Sequence, residues 1–223
     1  MKAMILAAGR GERLRPLTDH TPKPLLKAGG KPLIVHLIER LVAAGFDDIV
    51  INYAHLGEQF PAQLGDGSPW GANISYSPEL SGGLETAGGI IHALPLLGDQ
   101  PFLVVNGDIW TDFDFSMLRN RLSNNDLCHL VLVPNPSQHP DGDFYLDTNN
   151  KLHAQGSGKF TFSGIGIYRP QLFAGLADGK RPLKPILVQA MQQQRVSGVL
   201  FQGQWSDIGT AERLTALDQQ LNH

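Results

Sequence analysis

The sequence predicts an α/β protein built on an open, mostly parallel sheet, and three observations carry this. Short strand-length runs, Ala3–Ala8, Asp48–Asn52, Phe102–Val105 and Cys128–Val133, alternate with stretches of helical apolar spacing such as Pro32–Gly45 and Ile90–Leu97. Two of the runs, Ala3–Ala8 and Phe102–Val105, are apolar at successive positions, which suits strands covered on both faces. Both then give way to glycine and charge, Gly9-Arg10-Gly11 and Asn106-Gly107-Asp108, at the carboxyl ends where open sheets bind their ligands. At 223 residues, the chain is long enough for one sizeable core, and a single domain over 1–223 is expected.

Taken in order, Ala3–Ala8 opens onto a loop stiffened by Pro16, Pro22 and Pro24. Pro32–Gly45 carries proline near its start and glycine at its end, so it reads as a helix. Asp48–Asn52 is a short buried strand, His55–Leu64 a helix broken or bent at Pro61, and Asn73–Ser77 a strand with one polar face. Ser81–Gly89 reads as a glycine-rich loop entering a helix over Ile90–Leu97, with Thr86 as a candidate cap. Pro101–Trp110 contains a central strand ending at Asp108, and Asp112 or Asp114 is placed to cap a helix around Phe115–Leu122. Cys128–Val133 is a further apolar strand, followed by a small hairpin around Asn149-Asn150 and a glycine-bearing strand over Phe160–Tyr168. A basic turn, residues 178–187, leads into a helix through Gln194, and Thr210 caps a last helix through Leu221.

Charge narrows the function classes. Residues 1–31 hold seven Lys or Arg against two acids, while the whole chain sums to −3. A local positive site in a mildly acidic protein suits a small anion, and with no DNA-binding motif or long basic stripe, nucleic acid is not an expected partner. The short apolar start supports neither a signal peptide nor a membrane span, and no membrane partner is expected. The lone Cys128 forms no internal disulfide and sits in an apolar run as an inert thiol, so a cytoplasmic location follows.

The residues leave some chemistry open. Gly9-x-Gly11 fits either a plain turn or a backbone cradle for phosphate, and neither a P-loop nor a dinucleotide fingerprint is present. A carboxylate such as Asp108 at a strand end must be paired, hydrated or on a metal. Lys180, Arg181 and Lys184 form either a solvated face or a contact for an acidic substrate. Arg15 is placed to pair with Glu12 or Asp19.

A longer pattern resolves several of these choices. Leu6-Ala7-Ala8-Gly9-x-Gly11-x-Arg13-Leu14-x-Pro16-Leu17-Thr18, then Pro22-Lys23-Pro24-Leu25, Asn106-Gly107-Asp108 and Trp205-x-Asp207-Ile208-Gly209-Thr210, resembles the signature of the sugar-1-phosphate nucleotidyltransferases over nearly the whole chain. The resemblance implies a Rossmann-like, three-layer domain with a mixed, mostly parallel sheet of glycosyltransferase-A type, lacking the C-terminal left-handed β-helix of bifunctional members. It implies transfer of a nucleotidyl group to a sugar 1-phosphate, with Mg2+ on Asp108 and Asp207. Arg13 would serve the leaving pyrophosphate and Lys23 the α-phosphate. The nucleotide would lie against Ala8, Gly9, Gly11, Gly83, Glu85, Thr86 and Asn106, and the sugar against Asn106, Gly142, Ser163, Gly164 and Asp207.

Two departures bear on the substrates. Glu85 stands where the family commonly has glycine in Leu-Gly-Thr-Ala-Gly, and a carboxylate belongs beside the nucleoside rather than the phosphates. The Glu-Lys-Pro segment usual in hexose enzymes is replaced by Gly156-Ser157-Gly158-Lys159, which removes an acid that grips sugar hydroxyls. A sugar that has lost its 3-hydroxyl and gained a lactyl acid suits the less acidic pocket. The resemblance, with these departures, implies UTP and N-acetylmuramic acid 1-phosphate as the substrates. Another sugar 1-phosphate with GTP or UTP, or a nucleotide sensor without turnover, stands as the alternative. The Gln-rich helices fit a monomer or a weak homodimer.

Overall fold

The computed structural model describes residues 1–79 and 82–222, so Ser81, expected at the head of the glycine-rich loop, lies outside the described residues. Strand β1 (Ala3–Leu6) is followed by the short pair β2 (Lys27–Ala28) and β3 (Lys31–Pro32), helix α1 (Leu33–Ala43), β4 (Asp48–Tyr53), α2 (Gln59–Leu64), β5 (Asn73–Pro78) and α3 (Glu85–Leu97). Then come β6 (Phe102–Asn106), β7 (Ile109–Thr111), β8 (Cys128–Val133), the pair β9 (Tyr145–Leu146) and β10 (Leu152–His153), and β11 (Thr161–Tyr168). Helix α4 (Leu183–Gln192), β12 (Val196–Leu200), β13 (Trp205–Asp207) and α5 (Ala211–Leu221) complete the order.

Among the described residues, seven strands form one sheet in the order β12-β8-β11-β6-β1-β4-β5. The β6-β1-β4-β5 strands run parallel, as do β8 and β12, and β11 is antiparallel to both of its neighbours. The sheet is thus mixed and mostly parallel, as the sequence predicts. Alternation sorts its side chains into two cores. Ala3, Ile5, Leu103 and Val105 face α1, whereas Met4, Phe102 and Val104 face α3 and α4, giving a helix–sheet–helix sandwich. A smaller third core joins α5 to the chain's first third through Ala28, Leu33, Trp110, Ile208, Leu214 and Leu217. Gly29 N–H donates to Asp218 at 2.8 Å across that contact. Cys128 is fully buried in the second core, and burial pushes its thiol well above the usual range, as expected for an inert cysteine.

Several elements differ from expectation. Helix α2 starts at Gln59, and Pro61 does not break it because it lies in the first turn, where its missing N–H has no intrahelical partner anyway. The segment after Asp114 is a 3-10 turn, Phe115–Leu118, rather than a helix to Leu122, although Asp114 does cap it by accepting from Ser116 N–H at 2.9 Å. The glycine-rich segment from Glu85 onward is helical: Gly88 and Gly89 are buried residues of α3. Two glycines cost about 2 kcal/mol of helix propensity relative to alanine, so packing must select them. A Cβ on Gly88 would stand 2.3 Å from Gly179 O, and one on Gly89 would stand 2.6 Å from a carboxylate oxygen of Glu79. Thr86 does not cap α3; the N-cap is Leu84, with no side-chain cap bond. The orphan N–H groups of Ala87 and Gly88 donate instead to Arg181 O, both at 3.1 Å, so the basic turn ties down the start of the helix.

Candidate functional site

Two clefts open at the carboxyl ends of β1 and β6 and meet at Asn106 and Asp108. Their junction is set by backbone register. Leu6 pairs with Asn106, and Gly107 N–H donates to Leu6 O at 2.8 Å. A Cβ at Gly107 would sit 2.7 Å from that same carbonyl, so only glycine lets the turn lie this close and hold Asp108 beside the first loop.

The larger cleft, about 670 Å³, is walled on one side by Ala8 and Gly9, on the other by Gly83, Glu85 and Thr86, with Lys23, Asn106 and Asp108 at its inner end. These eight expected residues therefore share one cavity. Lys23 belongs to the 3-10 turn Lys23–Leu25 set by Pro22 and Pro24, is 8% exposed, and donates to Asp108 Oδ2 at 2.6 Å. A buried ammonium needs such a partner, and the pair aims both heads at the cavity. Glu85 has a φ of +61°, in the left-handed region that favours glycine, and it lies 3.8 Å from Lys180. Lys180 lines the same cleft, which takes it out of the purely solvated face, whereas Lys184 pairs with Asp143 at 3.3 Å.

Gly11 and Arg13 stand apart from this wall. Gly11, at φ +65°, begins the turn Glu12–Leu14 and its carbonyl accepts from Thr18 Oγ1 at 2.9 Å, so here glycine serves the turn. Arg13 is exposed and reaches the far loop: a Cβ on Gly209 would be 3.1 Å from Arg13 Nη2. Arg15 pairs with Asp19 at 3.2 Å, one of its two expected partners. Arg10, Glu12 and Asn52, none of them expected at the site, also line the larger cleft.

The smaller cleft, about 270 Å³, is lined by Asn106, Asp108, Gln138, Ser163, Trp205 and Asp207 among others. Asp207 arrives because β13 pairs antiparallel with β7, Asp207 opposite Ile109, and Ile208 N–H donates to Asp108 O at 2.8 Å. Two carboxylates 99 positions apart are thereby neighbours on one ribbon. Asp207 Oδ1 accepts from Gln138 Nε2 at 2.8 Å and from Arg213 Nη1. The other three expected sugar contacts divide. Ser163 lines the cleft, but its hydroxyl donates to Val131 O at 2.7 Å and accepts from Ile165 N–H, holding the bulge in β11. Gly164, at φ +81°, lies under Asn106, since a Cβ there would be 2.5 Å from Asn106 Nδ2. Gly142 packs against Asn135 and the Lys159 backbone, away from the cleft lining. Gln138 and His139 were not expected at the site; an isolated polar residue in a loop gives no signal of where the loop will close.

The donor set suits a hard divalent cation. Asp108 and Asp207 line a common space and offer oxygen donors, and among the described residues no third His, Cys, Asp or Glu joins them. That leaves positions for substrate phosphate and water, the way magnesium is commonly held.

A family model described as nucleotidyl transferase matches residues 2–144, more than half the chain. The chain belongs to the nucleotidyl transferase family. A Neisseria meningitidis protein named N-acetylmuramate alpha-1-phosphate uridylyltransferase is 57% identical over 96% of this chain and 95% of its own. A Caulobacter vibrioides protein of the same name is 33% identical over 98% and 96%. A Mycobacterium tuberculosis mannose-1-phosphate guanylyltransferase matches at 38%, over 52% of this chain and 32% of its own. Among solved structures, a Bacillus anthracis chain assigned as a glucose-1-phosphate thymidylyltransferase, in complex with sucrose, superposes with a TM-score of 0.87 at 22% identity, covering 100% and 95% of the two chains. That likeness establishes the Rossmann-like nucleotidyltransferase fold. No helix among the described residues is long and apolar enough to cross a membrane.

Proposed function

We propose that the chain is a magnesium-dependent uridylyltransferase that moves UMP from UTP to N-acetylmuramic acid 1-phosphate, giving UDP-N-acetylmuramic acid and pyrophosphate in peptidoglycan recycling. The observation that carries it is the 57% identity, over nearly the full length of both chains, to the Neisseria protein of that name. The two clefts joined at Asp108 support it independently, because two anionic substrates must meet at one point.

In this reading the nucleotide occupies the larger cleft and the sugar phosphate the smaller. A phosphate oxygen of the sugar attacks the α-phosphorus in line, the bond to the bridging oxygen breaks, and pyrophosphate leaves with the electron pair. The nucleophile is already an anion, so no strong base is required. The chain's task is to bring like charges together, and positioning with charge compensation does nearly all of it. Lys23 offsets the α-phosphate charge from its fixed seat on Asp108, and the Ala8–Gly9 backbone abuts the triphosphate. Arg13, which lies outside the cleft lining beside Gly209, would have to turn toward the cleft to meet the leaving pyrophosphate. Asp108 and Asp207 would hold Mg2+, which supplies divalent charge shared by the phosphates of both substrates. The protein acts in the cytoplasm as a single catalytic domain, monomeric or weakly dimeric.

The test is pyrophosphate release with UTP, GTP, dTTP and CTP crossed against the 1-phosphates of N-acetylmuramic acid, N-acetylglucosamine, glucose and mannose. One dominant signal for UTP with the muramic sugar is expected. A stronger signal for mannose 1-phosphate with GTP would keep the chemistry and overturn the substrate.

A further inference from the structure

Behind the larger cleft lies a carboxylate that the reaction does not use. Glu79, 4% exposed, and Asn52, 2% exposed, form a directional chain of hydrogen bonds between the two walls. Ala7 N–H, at the end of β1, donates to Asn52 Oδ1 at 2.9 Å; Asn52 Nδ2 donates to Glu79 Oε1 at 2.6 Å; and Leu84 N–H, beside Glu85, donates to Glu79 Oε2 at 2.7 Å. Gly89 has no side chain where the carboxylate and the Asn52 amide touch α3, so the helix backbone lies directly against the pair.

The polarity of this chain is fixed from both ends. A backbone N–H faces inward from each wall, so the linking groups must present an acceptor at either end. Asn52 turns its oxygen to Ala7 and has only a donor left for its neighbour. That neighbour must accept twice, and among side chains of this length only a carboxylate does so. Burying a charge whose donors are neutral amides is costly, and a turn that merely needed filling would not call for it.

We propose that Glu79 is a positioning residue for the nucleotide: through Asn52 it sets the distance between the Ala8–Gly9 wall and the Leu84–Thr86 wall, and so the fit of nucleobase and phosphates together. This rests on the reading of the larger cleft as the nucleotide site. Sugar binding, on the other side of Asp108, does not depend on it.

The test is a polarity reversal. In E79Q one inward donor meets an amide nitrogen whichever way the new side chain turns; in N52D two carboxylates face each other. In the double variant N52D/E79Q, the carboxylate now at position 52 accepts from Ala7 N–H and from the amide nitrogen now at position 79. The oxygen of that amide accepts from Leu84 N–H, so every link is restored with net charge unchanged. For E79Q, the nucleotide KM is expected to rise about 10-fold or more, the size of one broken charged hydrogen bond, with the sugar-phosphate KM unchanged. N52D/E79Q is expected to return within a few-fold of wild type, and calorimetric binding of the nucleotide alone should follow the same pattern. A folded E79Q with both KM values unchanged overturns the role of Glu79 and leaves the cleft assignment standing. A rise confined to the sugar-phosphate KM overturns the cleft assignment itself. If E79Q does not fold, a double variant that folds but still binds nucleotide poorly overturns the proposal, and one that binds normally supports it.

Discussion

Replacing Asp108 by asparagine separates the job this carboxylate performs, holding Lys23, from the one proposed for it, contributing charge where the substrates meet. Asn keeps an oxygen for Lys23 Nζ, now 2.6 Å from Oδ2, and removes one negative charge. Because more than a third of the Asp108 side chain is exposed, solvent screens the pair, and its loss is expected to cost about 1 kcal/mol of stability or less. In a chain of this size that lowers Tm by about 2–4 °C. The transition state is affected far more. Removing one preorganised electrostatic contact slows turnover by about 100-fold or more, equivalent to about 2.7 kcal/mol. The assay is pyrophosphate release over a magnesium titration, alongside thermal melts and direct Mn2+ binding by calorimetry. A D108N protein with wild-type turnover at saturating magnesium would refute the assignment of Asp108 to the reaction centre.

Four further outcomes are expected. Lys23→Ala should lower kcat more than it raises the sugar-phosphate KM, and the reverse split would move Lys23 out of the transition state. His129 is buried, which, with the Arg121 charge, pushes its imidazole down to about 4. The unfolded chain then takes up a proton below about pH 6.5 that the folded chain refuses, so roughly 3 kcal/mol of stability present above that pH should be lost as pH falls to about 4; an imidazole resonance titrating near 6.5 would contradict this. Gly89→Ala puts a Cβ 2.6 Å from Glu79 Oε1 and should destabilise by about 1–3 kcal/mol, against which an unchanged urea midpoint would count. Glu85→Gly releases a φ of +61° and should leave stability unchanged or raise it by up to about 1 kcal/mol; a clear fall would mean that the Glu85 side chain supports the loop.

The chemistry at strand ends was legible because it is local. Ala3–Leu6 into Gly9, and Phe102–Asn106 into Asp108, are each a strand and its loop read off adjacent residues, and both lie where the sequence places them. What was not legible depends on closure in space. Gly88 and Gly89 read as loop because their propensity is against helix, and only the Glu79 carboxylate and the residue 179–181 backbone explain why α3 tolerates them. Glu79 itself follows a polar strand and precedes glycines, a setting shared by countless exposed acids. Arg213 was passed over for the same reason: its contact with Asp207 exists only once the start of α5 has turned back on β13. Ser163 lines the smaller cleft as expected, while its hydroxyl is committed to its own strand, which the sequence does not reveal.

The pinning of Asp207 by α5 has a consequence for how the protein comes into being. On the ribosome, every strand of the seven-stranded sheet has been made by Leu200, and Lys23 and Asp108 are then already in place. The second carboxylate emerges only with β13, and it is anchored when α5 reaches back to the Lys27–Pro32 hairpin, through Asp218 on Gly29 and Leu221 beside it. On the proposed role of Asp207, a nascent chain would pass through an interval in which the seven-stranded sheet is made and the second carboxylate is not yet anchored. The docking of α5, after the sheet has formed, would then complete the proposed reaction centre.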